Sequence, residues 1–306
     1  MKPLILVNNE NNGYFENAIA NCNLFYIFKS ERMINRIFRK IILKTNSSLR
    51  KILFTHWKKR ASECDTIILF DTGNAVTILK YLKEYYSGKR IIFWYWNRVS
   101  RSIPVDEIKK TGVEIWSYDP GDCEKYDLKY NVQFVFPQNY GINVSTSKEY
   151  DAFFIGLDKN RGAILKAMAK HLKEAGCSFY YYLVKSKTKA DSNVKQEYPY
   201  QPPVTYQKLI DMSIKSKALI DIIDEEQLGL TLRPIEGIYL KKKLITTMKH
   251  ITDYDLYTPD NIFIWGVDDI SKLKAFLESP YNNKGSVELK QKYSFDAWLH
   301  NFENIK

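Results

Sequence analysis

"DAFFIGLDKNRGAILKAMAKHLKEAGCSFYYYLV", residues 151–184, is the stretch that decides the fold. Its first six residues, DAFFIG (151–156), read as a strand buried on both faces. KNRGAILKAMAKHLKEAG (159–176) carries apolar residues at helical spacing and stops on Gly176, and SFYYYLV (178–184) reads as a second strand. Strand, helix and strand within ~30 residues form a βαβ unit, and the crossover helix makes the two strands parallel.

The same rhythm runs outward in both directions. Downstream, TYQKLIDMSIKS (205–216) and TLRPIEGIYLK (231–241) predict helices, while KALIDII (217–223), KLITT (243–247) and NIFIWG (261–266) predict strands. DDISKLKAFLES (268–279) and the apolar-striped SFDAWLHNFENI (294–305) predict two more helices. Upstream, LILV (4–7), LFYIF (24–28), TIILF (66–70), RIIFWYW (90–96) and VEIWSY (113–118) are short apolar runs separated for the most part by helical patterns. FVFPQN (134–139) closes this half, and YGINVSTSKEY (140–150) has the composition of a linker. The expectation is an α/β chain of two Rossmann-like domains with parallel sheets, 1–145 and 146–290, facing across a cleft. The helix of 291–306 is expected to pack back on the first domain. In such sheets ligands lie outside the carboxyl ends of the strands, so the loops after strands are the places to search.

Bulk composition narrows the class. With 306 residues, the chain suits two domains, and 45% hydrophobic with 14% aromatic content supplies cores for both. The net charge of +11 favours an anionic partner. Cys22, Cys64, Cys123 and Cys177 are far apart with no CxxC pair, which argues against a disulfide framework or a structural zinc site. Neither a secretory signal peptide nor a run of ~18–20 apolar residues is present, so a cytoplasmic location is expected.

Two loops of the second half suit phosphate. DEEQLGLT (224–231) leads into a helix that Thr231 can cap, and Gly229 lets an anion approach the backbone. Arg233 adds a guanidinium fork, and Glu236, three residues on, shares its face and can accept from ribose hydroxyls. The other reading is a capped helix with an Arg–Glu surface pair. GLDKNRG (156–162) brings Lys159 and Arg161 to the start of a helix, where a diphosphate or merely solvent would meet them. Neither GxGxxG nor GxxxxGK[ST] occurs, which weakens dinucleotide and ATP readings.

In the first half, NNENNGYF (8–15) carries Glu10, Gly13 and Tyr14, DTGNA (71–75) begins with Asp71, and NRVSRS (97–102) carries Arg98 and Arg101. A carboxylate at a strand end is a candidate general base, either Asp71 or Glu10. For Asp71 a helix cap or Asx turn is the competing reading. DYD (253–255) matches the DxD metal signature of some sugar transferases, but nothing nearby reinforces it, and a polar loop is the better reading.

Between Lys29 and Arg60 stand eleven Lys or Arg residues and one acid, Glu31. Ile34, Ile37, Phe38, Ile41 and Ile42, then Leu49, Ile52, Leu53, Phe54 and Trp57, recur at helical spacing. An apolar stripe turned to the sheet, with basic residues available to an anionic membrane surface, is the expectation for 29–60. No nucleic-acid-reading module accompanies it, and no nucleic acid partner is expected.

The pattern Q-x-G-x-T-x-R-x-x-E of residues 227–236, with KKKLITT and NIFIWG after it and FFIGLDKNRG before it, resembles GT-B glycosyltransferases of bacterial surface-polysaccharide assembly, those of lipopolysaccharide core or capsule. WYWNRV (94–99) and VEIWSYDPGDCEKYDLKYN (113–131) are similar to the same group, so the likeness spans roughly 65–290. The resemblance implies a hexosyl or deoxyhexosyl transferase with a nucleotide-sugar donor as substrate and neither cofactor nor metal. It implies that Glu236 holds the ribose, while Arg233, Lys159 and the backbone of Gly229, Leu230 and Thr231 hold the diphosphate, beside Arg161. A lipid-linked, lipopolysaccharide or capsular glycan acceptor would enter from the first domain past Gly13, Tyr14 and Arg98, and Asp71 would take its proton. Such an enzyme would rest peripherally on the inner face of the cytoplasmic membrane. The alternative is a non-catalytic basic α/β protein that binds nucleic acid or an anionic membrane surface.

Overall fold

The computed structural model describes residues 2–8, 13–19, 22–29, 42, 50–141, 148–186 and 198–304. Two compact units make up the chain, Met1–Val132 and Gln133–Lys306. The division thus falls after Val132, ahead of the 140–150 stretch that the sequence suggests as a linker.

Each unit is built on a six-stranded sheet. The first contains β1 (Leu4–Val7), β2 (Leu24–Tyr26), β3 (Thr66–Phe70), β4 (Arg90–Tyr95), β5 (Glu114–Ser117) and β6 (Lys129–Tyr130), in the order β2-β1-β3-β4-β5-β6. The second contains β7 (Tyr150–Leu157), β8 (Phe179–Val184), β9 (Tyr200–Gln201), β10 (Ser216–Asp221), β11 (Lys243–Thr246) and β12 (Ile262–Ile264), in the order β12-β11-β10-β7-β8-β9. All pairings within both sheets are parallel. Parallel strands need crossovers that cover both faces, which is why the sequence shows continuous apolar runs instead of alternation.

Strand order locates the sites. In the first sheet the chain runs outward from β1 to β2 and then returns to the other side of β1 at β3. In the second it runs β7-β8-β9 one way and then returns beside β7 at β10. Each return is a switch point, where the loops from two neighbouring strands diverge to opposite faces and leave a crevice. The first crevice lies past Val7 and Phe70, the second past Leu157 and Asp221.

Helix faces close the cores at the expected spacing. Helix Ala75–Tyr85 buries Ala75, Ile78, Leu79 and Leu82 against the first sheet, and helix Gly162–Glu174 buries Leu165, Met168, Ala169 and Leu172 against the second. In the basic segment, Phe54 and Trp57 are buried, and the Trp57 indole donates to the Ile27 carbonyl at 3.1 Å. Lys59 and Arg60 are exposed. The helical stripe Ile34–Ile41 lies outside the described residues. Among the described residues no helix is long and apolar enough to cross a membrane.

The terminal helix Phe295–Asn304 packs Phe295 and Trp298 on Phe134 and Phe136, with Phe134 and Trp298 ring centroids 4.4 Å apart. A bridge from Val135 to Ser294 adds backbone hydrogen bonds, so residues 133–140 and this helix form one aromatic layer of the second unit. The helix of 291–306 thus packs on residues 134–136, which the sequence reading counts in its first domain of 1–145 and the unit boundary after Val132 places in the second unit.

Candidate active site

At the second switch point, β7 ends in Gly156-Leu157 and turns through Asp158-Lys159-Asn160 into the helix Gly162–Glu174. Lys159 and Asn160 both take left-handed backbone conformations, with φ of 42° and 62°. That turn brings Arg161 back over the strand end. Its Nη1 donates to the Leu157 carbonyl at 3.2 Å, and its guanidinium lies 5.8 Å from the Phe154 ring centroid. A Cβ on Gly156 would stand 3.3 Å from Arg161 Nη1 and 3.2 Å from Phe154 Cζ, so a side chain there would crowd the guanidinium. Lys159 is exposed.

On the other side of the same crevice is the helix Leu232–Leu240. Thr231 is its N-cap, accepting from the Arg233 amide at 3.3 Å. The Thr231 hydroxyl in turn donates to Asp221 Oδ1 at 3.0 Å, and the Thr246 hydroxyl reaches Oδ2 at 3.4 Å. Asp221 is the last residue of β10 and is buried. Burial pushes its carboxyl above the usual range, opposed by the charges of Arg161 and Arg233 and by the two threonine hydroxyls. Both arginines reach the end of β7, Arg161 at the Leu157 carbonyl and Arg233 at the Ile155 carbonyl.

Arg233 and Glu236 form a close ion pair, Nη1 to Oε2 at 2.6 Å, and Arg233 Nη2 donates to the Ile155 carbonyl at 3.3 Å. The side chains are 13% and 2% exposed, so this is not the solvated surface pair that the bland reading of the sequence offered. Glu236 Oε1 accepts from the Tyr206 hydroxyl at 2.6 Å, and Tyr206 lies 2.5 Å from the Tyr140 hydroxyl. Both carboxylate oxygens are thus occupied by protein donors. Gly229 and Leu230 are buried in the loop before the helix, where Gln227 Nε2 donates to the Gly229 carbonyl at 2.9 Å. The lysine triplet after the helix is structural in two of its members. Lys242 Nζ donates to the Ile214 and Ser216 carbonyls at 2.5 and 2.6 Å, and Lys243 Nζ to the Phe276 carbonyl at 2.5 Å.

At the first switch point, the β1–β3 register pairs Leu6 with Leu69, which carries forward to Asn8 beside Asp71. The Ser102 hydroxyl donates a short hydrogen bond to Asp71 Oδ1, and Asn97 Nδ2 donates to Oδ2 at 3.3 Å. The Asp71 amide continues the β3–β4 ladder to the Trp94 carbonyl at 2.9 Å. Burial pushes the Asp71 carboxyl above its usual range, and the two side-chain donors oppose that. Thr72 follows, 5% exposed, and its hydroxyl has no hydrogen-bond partner; Asn8 Oδ1 is likewise unpartnered among the described residues. An unsatisfied buried polar group costs about 1–3 kcal/mol, and such orphans at a site ask for a ligand.

The remaining predicted residues are placed as follows. Tyr14 is 3% exposed, with its ring 5.1 Å from Phe15 and 5.5 Å from Trp96. Gly13 takes φ of 75°, the left-handed conformation that favours glycine. Arg98 Nε lies 3.9 Å from Asp119 Oδ2, and the neighbouring Val99 amide donates to Asp122 at 2.8 Å, so this segment is tied to residues 119–122. Glu10 lies outside the described residues. Asp255 of the DYD stretch is engaged by Lys292 at 2.5 Å and Tyr293 at 2.7 Å, as a structural loop would be. Among the described residues no group of three or more His, Cys, Asp or Glu could hold a metal ion.

Sequence reasoning missed Asp221, Tyr206 and Tyr140 in the second unit and Ser102, Asn97, Thr72 and Asn8 in the first. One signal was readable: an acid within KALIDII, a strand otherwise apolar, needs buried partners. The hydroxyls and amides gave no pattern of their own.

Two sheets with these strand orders, each with its crevice at a switch point, are those of the GT-B fold. The chain is similar across nearly its whole length to an alpha-glucosyltransferase solved with UDP and a 13-mer DNA containing a central A:G mismatch (TM-score 0.59, 11% identity, covering 98% of this chain and 97% of that one). It is similar to AviGT4, a glycosyltransferase involved in avilamycin A biosynthesis (TM-score 0.60, 10% identity, 99% and 96% covered), and to the lipopolysaccharide outer core galactosyltransferase WaaB (TM-score 0.50, 15% identity, 99% and 98% covered). In sequence, no family model and no curated protein matches the chain.

Proposed function

We propose that this protein is a glycosyltransferase that moves a hexosyl or deoxyhexosyl group from a nucleotide-sugar donor to a lipid-linked, lipopolysaccharide or capsular glycan acceptor, without a metal ion. The observation that carries the reading is that Arg161 and Arg233 both donate to carbonyls at the end of β7, at the second switch point, beside the capped N-terminus of helix Leu232–Leu240. Two guanidinium groups and backbone N–H groups match a diphosphate in charge and geometry. Lys159, exposed on the same turn, adds a third cation. UDP bound by a protein of this fold supports a nucleotide in that role.

In the reaction so proposed, the acceptor hydroxyl gives its proton to Asp71 as its oxygen bonds to the anomeric carbon. The bond from that carbon to the donor phosphate breaks, and its electron pair leaves with the nucleoside diphosphate. Arg161, Arg233 and Lys159 stabilise the charge that develops on the leaving group. A half-buried carboxylate with raised proton affinity suits the base. Attachment to an anionic membrane surface through residues 29–60 completes the reading.

A thermal-shift screen against nucleotides and nucleotide sugars tests it. Selective stabilisation by one nucleoside diphosphate and its sugar derivative is expected. No shift with any nucleotide, together with binding to anionic vesicles or nucleic acid, would replace this reading with the non-catalytic one.

A further inference from the structure

We propose that Ser102 and Asn97 are positioning residues that hold the Asp71 carboxylate, and that the unpartnered Thr72 hydroxyl and Asn8 carbonyl beside it bind hydroxyl groups of the acceptor. The inference rests on the reading of Asp71 as the base and adds the chemistry of what it faces.

Topology supplies the placement. Asn8 and Asp71 directly follow adjacent parallel strands at corresponding positions, at the point where the chain leaves β1 and β3 in opposite directions. Ser102 and Asn97 occupy the two oxygens of Asp71, one each, and both belong to the segment after β4. That segment is itself fixed, by Tyr95 donating to the Ile103 carbonyl at 2.7 Å and the Val99 amide donating to Asp122 at 2.8 Å. The carboxylate is therefore held from two sides by a rigid loop. A group meant only to cap the helix Ala75–Tyr85 would instead accept from that helix's first amides, and no side-chain cap is made there.

The orphans define the ligand. Asn8 Oδ1 is an acceptor, so it asks for a donor, and Asp71 as a carboxylate asks for the same. Thr72 can give or accept a proton. Acceptors of this kind match adjacent hydroxyls of a sugar and repel a phosphate. The part of the acceptor that reacts is thus a neutral polyol, and any phosphate or lipid that it carries lies elsewhere. The titratable groups around Asp71 do not change this: Tyr95 on β4 is held protonated by burial and by the charges of Asp71 and Asp122. Arg98, in the same loop as Asn97, is directed to Asp119.

Two measurements test the inference. The first is carbon-detected NMR titration of the Asp71 carboxyl in the whole protein, which needs no activity. Ser102→Ala is expected to move its midpoint to higher pH, because a donor that favours the charged form is lost. The second is kinetics with an acceptor sugar once a donor is known. Ser102→Ala is expected to lower kcat about ten- to a hundredfold and to move the acid limb of the profile upward, with donor KM unchanged. Thr72→Val is expected to raise acceptor KM roughly two- to tenfold and to leave the acid limb in place. If Ser102→Ala leaves the Asp71 titration where it was, or Thr72→Val leaves acceptor KM untouched, the inference is wrong. Asp71→Asn separates the two levels. Retained turnover in that variant removes the base itself, whereas a dead Asp71→Asn beside an unaltered Ser102→Ala and Thr72→Val overturns only the positioning and binding roles.

Discussion

The two switch points are alike in topology and opposite in how they treat charge. Past β7 and β10, the buried charged groups have internal counterparts among the described residues: Arg233 with Glu236, Glu236 with Tyr206, Asp221 with Thr231 and Thr246. Past β1 and β3, Asp71 is held, but Thr72 and Asn8 keep unused hydrogen-bonding capacity. A cation left bare in a crevice is expensive, and the fold holds Arg233 against buried Glu236. Thr72 and Asn8 carry no charge, so leaving their polar atoms unpaired costs less than leaving a bare ion. One strand order thus carries two kinds of crevice, one whose carboxylates are saturated by protein donors and one that keeps hydrogen-bonding capacity.

The largest effects should come from breaking the saturated network. Arg233→Ala leaves Glu236 charged, 2% exposed and short of its partner. Loss of one member of a buried pair costs about 3–5 kcal/mol, so chemical denaturation should show a drop of that order, and nucleoside diphosphate binding should vanish. Glu236→Ala should destabilise comparably by stranding Arg233. Arg233→Lys is the sharper probe of binding, because it keeps the charge and loses the fork. It should fold and bind a diphosphate about tenfold or more weakly in calorimetry.

Asp71→Asn should separate function from stability. Losing a general base lowers kcat by about 10²–10⁴. The same change should raise the melting temperature. The Asp71 carboxyl lies above its ordinary value of 3.8 in the folded protein, so ionisation is disfavoured there relative to the unfolded chain. That penalty is complete at neutral pH and fades as pH falls through the folded-state value. The gain from Asn should therefore be largest near neutrality and shrink in acid, as melting curves across pH would show.

How much of this was legible in the sequence follows from what each signal depends on. Two-sided burial of parallel strands writes itself as apolar runs, so 151–156, 178–184 and 217–223 were all readable, and Gly156, Thr231 and Arg233 drew notice because they end or follow such runs. The fate of Tyr14 was not readable, because a tyrosine after a strand looks the same whether its ring joins Phe15 and Trp96 or lines a crevice. Nor was the burial of Lys242 and Lys243 in KKK, since carbonyls from Ile214 and Phe276 reach them from 28 and 33 residues away. The Tyr140–Tyr206–Glu236 chain has the same character: each member is ordinary alone, and only the tertiary fold joins them.

Gly156→Ala should give an intermediate effect. The new methyl group would press on Arg161 Nη1 and the Phe154 ring at 3.3 and 3.2 Å. Phe154 is buried in the sheet core and has little room, so the flexible guanidinium is the group that moves. Affinity for the nucleotide should fall roughly tenfold, with about 1–3 kcal/mol lost from the fold. Unchanged affinity in titration calorimetry would place the diphosphate away from Arg161.

The smallest effects put the comparison in one substitution made twice. Thr231→Val removes a helix cap and one of the two hydroxyls that serve buried Asp221, so it should cost about 1–2 kcal/mol. Thr72→Val removes a buried hydroxyl that makes no hydrogen bond among the described residues and replaces it with a methyl group of similar size. It should be neutral or stabilise by up to about 1 kcal/mol, because desolvation of an idle donor is relieved. Opposite signs in paired denaturation curves would mark one threonine as structural and the other as kept for a ligand. Equal destabilisation would mean that Thr72 has a partner in the folded chain and that the first switch point is as closed as the second.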